Sequence, residues 1–144
     1  MNACRVLREM NNSMNKYSIK VKGIVKVANQ YLLLEHWYDD RIEDPYQWEF
    51  IDGKIEFGEA PDQAVIRIIK EATGLDAMID KILYTWSYML GDECNIGISY
   101  LCLAVSDEVQ LSEEYTGLKW VTKDEFELYI RNLKLLEDIE RAEL

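Results

Sequence analysis

Apolar and polar positions along this chain alternate, then run together, then change period, and each change marks an element. From Ser18 to Ala28 the apolar residues Ile19, Val21, Ile24, Val25 and Val27 are all β-branched, and Asn29-Gln30 interrupts before a second apolar run from Tyr31 to Trp37. The pattern predicts two strands around a short turn. Tyr38 to Tyr46 holds Asp39, Asp40 and Pro45 and reads as a surface loop. A short strand is expected over Gln47 to Ile51, a sharp turn at Asp52-Gly53, and a second extended piece from Lys54 to Phe57 closed by Gly58.

The period then changes to that of a helix. Ala64, Val65, Ile68, Ile69 and Ala72 recur at helical spacing, and Pro61 and Gly74 stand where a first turn and a C-terminal cap need them, framing a helix from about Ala60 to Thr73. Ala77 to Leu90 and Asn95 to Val105 read as an antiparallel pair joined at Gly91-Asp92-Glu93. Ser106 to Gly117 is expected as an acidic loop and Leu118 to Val121 as a last strand. Thr122 with Glu125 forms a capping box for a helix from Lys123. Asn132 separates a final amphipathic helix carrying Leu133, Leu136 and Ile139. Strands with an inserted helix and terminal helices imply a sheet covered by helices, of α+β or mixed α/β class.

A length of 144 residues suits one domain, expected over 17–144 behind an N-terminal extension at 1–16. Met14 is a second candidate translation start. The formal charge of -11 disfavours a nucleic acid polymer as partner, while a small anion remains compatible if a cation accompanies it. Cys4, Cys94 and Cys102 form no CxxC pair and suit a reducing cytoplasm rather than a disulfide framework or a zinc site. No apolar run reaches spanning length, and residues 1–16 lack the apolar core of an export signal, so no membrane association is expected. Oligomeric state, a homo-oligomer included, is left open.

The chemistry concentrates in WEFIDGKIEFGEAPDQAVIRIIKEATGL, Trp48 to Leu75. A glycine-bearing loop entering a short helix brings backbone groups and one helical face to a single point, and carboxylates at that spacing hold a divalent cation. Gly53, Glu59, Arg67, Ile69, Glu71, Gly74 and Leu75 stand at the spacing of a known box: Gly, five residues, Glu, seven residues, Arg-Glu, apolar, any, Glu-Glu, any, Gly, apolar. The sequence thus resembles the MutT/Nudix family. The LLLEHW strand, the preceding WEF and the Glu114 to Trp120 segment extend the likeness over nearly the whole chain after Tyr17.

The resemblance implies an α/β fold, a Nudix-like α/β/α sandwich with a mixed sheet flanked by helices. It also implies a cytoplasmic hydrolase that uses magnesium or manganese to cleave a phosphoanhydride in a nucleoside diphosphate derivative or another small diphosphate. Two helical carboxylates of the box are absent here, replaced by Ile68 and Ala72, and Asp52 stands where glycine or alanine is usual. The resemblance therefore assigns metal binding to Glu71, with Asp52 and Glu59 as further ligands. Glu59 also supports and orients, and Glu114 activates water. The metal is expected to bind weakly and activity to be low. The other readings are an impaired nucleotide-binding or regulatory domain and an interaction module that uses the acidic surface on a basic protein. Each residue also has a plainer role: Glu59 complements the helix dipole, Glu71 and Glu114 are solvated, Asp52 satisfies turn donors, and Arg67 makes an ion pair. His36 reads as a strand-end packing residue. Trp86 and Tyr88, two apart on a strand, share a face that packs into the core or stacks on a base.

Overall fold

A computed structural model describes residues 15–37 and 47–144. The loop expected at 38–46 lies outside the described residues, as does the extension up to residue 14. The chain begins with β1 (Lys16–Val27) and turns at Ala28, whose φ of 54° is left-handed, into β2 (Gln30–His36), so Gln30 belongs to the strand rather than to the turn. The strand expected over Gln47 to Ile51 is broken at Phe50 into β3 (Trp48–Glu49) and β4 (Ile51–Lys54).

Asp52 and Gly53 do not turn the chain. They lie inside β4, opposite Lys22 and Val21 of β1, and the left-handed residue comes later, at Gly58 with a φ of 82°. Gly53 is needed for close approach instead: a Cβ there would stand 2.8 Å from Cδ1 of Ile68. A turn glycine and a contact glycine look alike in sequence.

Helix α1 (Pro61–Thr73) follows, with Pro61 in its first turn, the Ala60 N–H donating to Oε1 of Gln63 at 3.4 Å, and the Gly74 N–H closing the end on the Lys70 carbonyl at 2.8 Å. β5 (Ala77–Leu90) and β6 (Glu93–Ala104) form the expected antiparallel pair. β7 (Tyr115–Val121) starts earlier than expected because buried Tyr115 pairs with His36 of β2. The Thr122 box forms, its N–H and hydroxyl donating to Oε1 of Glu125 at 3.0 and 2.9 Å. A 3-10 turn (Lys123–Glu125) then leads into α2 (Phe126–Tyr129), and α3 (Leu133–Ala142) ends the chain.

Among the described residues the seven strands make one mixed sheet, ordered β3-β2-β1-β6-β5, with β4 also on β1 and β7 also on β2. β1 runs parallel to β6 and antiparallel to β2 and β4. Both faces are covered, which is why β2 reads as an unbroken apolar run. Leu32 and Leu34 pack with Val21, Ile51 and the Val65 and Ile69 face of α1, whereas Tyr31 and Leu33 pack with Phe50, Phe126, Leu135 and Ile139. The result is an α/β/α sandwich. Gly23 and Gly53 let α1 sit directly on the sheet, with Ile69 and Ile68 over them.

Candidate functional site

The loop before α1 is held to the helix by Arg67. Its Nε donates to Oε2 of Glu59 at 2.7 Å, and its Nη2 donates to Oε1 of Glu59 at 2.9 Å and to the Lys54 carbonyl at 3.1 Å. Nη1 donates to Oε2 of Glu71 at 3.2 Å, one helical turn on. Glu59 in turn accepts from the Glu56 N–H at 3.1 Å. The Arg67 guanidinium holds the Glu59 carboxyl below its ordinary range, and Glu59 pushes the Arg67 pKa up.

Between this buttress and the segment leading into β7 lies a cleft of about 200 Å³. Asp52, Glu71 and Glu114 line it with Lys54 and Arg67, and Ile68 and Ala72 form an apolar part of its wall. The wall is fixed by backbone: the Ser112 N–H donates to the Ala72 carbonyl at 3.0 Å and the Gln110 N–H to Thr73 at 2.8 Å. Three of the residues singled out from sequence, Asp52, Glu71 and Glu114, thus share one cleft, while Glu59 is not among its lining residues and is engaged by Arg67. Glu71 is well exposed, its side chain 64% accessible. Ile68 and Ala72 are 7% and 5% exposed and belong to the core beneath α1.

Asp52 leads from this cleft to a second polar group, of which the sequence reading singled out only His36 and not Glu49. His36 Nε2 stands 3.6 Å from Oε2 of Glu49, and its ring lies 4.9 Å from that of Tyr115. His36 therefore does more than pack. Glu49 raises its pKa against the opposing effect of burial. For Glu49, burial works upward, but His36, Lys22 and Lys20 bring the carboxyl below its ordinary value. Asp52 is pushed up, first by burial and then by Glu49. Period-two alternation along β1, which sets Lys20 and Lys22 on one face, was the available signal for the lysines; nothing in the sequence pairs Glu49 with His36.

Trp86 and Tyr88 do share a face, but not in the closed core. Their rings stack with centroids 5.7 Å apart, and Tyr88 is 42% exposed.

A divalent cation fits this cleft in one way only. Among the described residues no group of three or more His, Cys, Asp and Glu side chains makes a metal shell. Glu71, Glu114 and Asp52 nevertheless offer hard oxygen donors on the cleft wall, and magnesium commonly takes one or two carboxylates plus phosphate oxygens and water. The donor set suits a cation that arrives with a phosphate ligand.

Comparison with known proteins bears on the family and the fold. A family model described as NUDIX domain matches residues 18–139. The curated relative "Nucleoside triphosphatase NudI" of Escherichia coli O139:H28 (strain E24377A / ETEC) is 29% identical, over 76% of this chain and 85% of its own. Among solved structures, the MutT protein from Methanosarcina mazei Go1 superposes with a TM-score of 0.77 at 23% identity, covering 89% of this chain and 94% of that one. A C. elegans Ap4A hydrolase in a binary complex gives a TM-score of 0.72 at 22% identity, covering 86% and 93%. At these identities the two structures establish likeness of fold.

Proposed function

This chain belongs to the Nudix family, and from that membership we propose that its cleft takes a nucleoside di- or triphosphate derivative together with a divalent cation, and slowly hydrolyses a phosphoanhydride in it. The carrying observation is that Asp52, Glu71 and Glu114 line one cleft with Lys54 and Arg67. Three carboxylates on a chain of charge -11 repel a bare polyphosphate, so the anion is accommodated only with a cation between them. Bound magnesium or manganese would neutralise charge developing on the phosphates and make its water more acidic.

Glu71 would hold that cation, with Asp52 as a second donor and phosphate oxygens and water completing its shell. Glu114 would act as the base: water oxygen attacks phosphorus, its proton passes to the carboxylate, and the phosphoanhydride bond breaks with the electron pair leaving on the departing phosphate. Lys54 and Arg67 supply positive charge on the cleft wall. Glu59 acts through Arg67 as a positioning residue, consistent with the two hydrogen bonds that join them. Turnover is slow because Ile68 and Ala72 contribute neither charge nor ligands. The reading takes residues 17–144 as one Nudix-like unit working in the cytoplasm, where thiols such as Cys94 and Cys102 stay free.

A second reading, nucleotide binding without turnover, is favoured by the burial of Ile68 over Gly53. Phosphorus NMR with nucleoside triphosphates, nucleotide sugars and dinucleoside polyphosphates, with and without magnesium, separates the two. Slow, magnesium-dependent product release that drops about tenfold or more in Glu71→Gln supports hydrolysis. Saturable binding without product supports the second reading, and neither binding nor product would end both.

A further inference from the structure

Glu114 sits on a short turn, Glu113-Glu114, between Ser112 and Tyr115. The backbone of that turn is pinned at both ends. The Tyr115 N–H closes it on the Ser112 carbonyl at 3.3 Å, and the Ser112 N–H ties the near end to the Ala72 carbonyl of α1 at 3.0 Å. The far end enters β7, where Tyr115 pairs with His36 of β2 and the two rings lie 4.9 Å apart. A further tie reaches the tip of the turn from Trp37, one residue beyond β2: the indole Nε1 donates to the Glu113 carbonyl at 2.5 Å.

The ladder beside the turn is irregular. Glu35 faces Gly117 and His36 faces Tyr115, so one step along β2 takes two along β7, and Thr116 is the extra residue of a bulge. A regular ladder would set Thr116 opposite His36 and turn the residues before it to the other face of the sheet. The bulge is held by side-chain bonding, because the Thr116 hydroxyl reaches both the Glu35 carbonyl, at 3.2 Å, and Glu35 Oε1, at 3.0 Å.

These ties add little to the stability of the fold. Trp37 is 59% exposed, its bond and those of Thr116 lie at the surface, and an exposed hydrogen bond competes with water. What they fix is the place of Glu114 on the cleft wall. A general base must stand within hydrogen-bond reach of the proton it takes, and a small displacement of a reacting group is costly in rate. Resting on the reading in which Glu114 is that base, we infer that Trp37 and Thr116 are positioning residues, which aim the Glu114 carboxylate from the end of β2.

Steady-state hydrolysis by the full chain with magnesium tests this, using whichever nucleoside triphosphate, nucleotide sugar or dinucleoside polyphosphate is cleaved fastest. Trp37→Phe keeps an aromatic ring without the N–H, and Thr116→Val keeps the shape without the hydroxyl. Each should lower kcat about tenfold or more while KM and Tm stay near wild type. Thr116→Ser, which restores the hydroxyl, should restore most of the rate. In a Glu114→Gln background neither substitution should lower the remaining rate further, a non-additivity that a merely structural role does not produce. Wild-type kcat in both Trp37→Phe and Thr116→Val overturns the inference, as does the same fractional loss with and without Glu114. A rise in KM or a fall in Tm that accounts for the lost rate also overturns it. These results leave the cleft reading intact wherever Glu114→Gln alone abolishes most of the turnover. Wild-type turnover in Glu114→Gln, or no turnover of any of these compounds by the wild type, would remove both.

Discussion

Arg67 shows how one residue serves the site without joining the chemistry. Its guanidinium spans Glu59 in the loop, the Lys54 carbonyl in β4 and Glu71 on its own helix, so the cleft's cationic wall and its exposed carboxylate are positioned together. Because Arg67 holds the Glu59 carboxyl below its ordinary value of 4.5, the ionised pair contributes in full above that pH and the contribution is lost as pH falls through the lower, folded value. Glu59→Gln should therefore lower Tm at pH 7, and the gap from wild type should narrow as melts are repeated below pH 4.5. A gap that stays constant with pH would show that the charge on Glu59 contributes nothing. The spacing of the box singled out Glu59 and Arg67, and the chance of an ion pair at Arg67, but not the partner, because the seven residues of loop and helix between them have no sequence-readable path.

At the scale of elements, what was legible were periodicity and its punctuation. Pro61 and Gly74 framed α1, Thr122 with Glu125 marked the start after β7, and the β5–β6 pair followed from two long apolar runs. What was not legible depended on partners far along the chain. The final helix illustrates this: Leu133, Leu136 and Ile139 suggested the inner face, yet Leu133 is 74% exposed and the buried positions are Leu135, Asp138 and Ile139. A buried aspartate hides the true face from any apolar count; Asp138 is tolerated because Lys134 and Arg141 reach its Oδ1 at 3.0 and 2.7 Å. The observed face makes distinct predictions. Leu135→Ala should cost about 2–5 kcal/mol, while Leu133→Ala should stay within about 0.5 kcal/mol. Asn132→Ala, which removes the cap accepted from the Leu135 N–H at 3.2 Å, should cost about 1 kcal/mol. Urea melts of the three variants decide between the two faces, and equal losses for Leu133 and Leu135 would contradict the observed register.

For the whole molecule, the question is whether the scaffold can still support the metal chemistry of its family. The frame is intact: α1 sits on Gly23 and Gly53, the Arg67 buttress is formed, and the cleft carries Glu71, Asp52 and Glu114. The missing carboxylates are confined to Ile68 and Ala72, which lie on the cleft wall as well as in the core. Ile68→Glu with Ala72→Glu would place carboxylates within one helical turn of Glu71. Loss of the isoleucine alone removes burial on the order of 1.5 to 3 kcal/mol, and two more negative charges are added to a chain already at -11. Without a cation the variant should melt below wild type. Because both positions border the cleft, the new carboxylates can reach solvent and metal, so the cost stays below that of a charge sealed in apolar surroundings. Magnesium binding only the folded state should then raise the variant's Tm while barely moving that of wild type. Phosphoanhydride hydrolysis by the variant should exceed wild type about tenfold or more. Thermal melts across a magnesium series, paired with phosphorus NMR of the same samples, check both halves. A variant that folds yet neither gains stability from magnesium nor hydrolyses faster would mean that this scaffold's departures from the box extend beyond two side chains, and would favour binding without turnover.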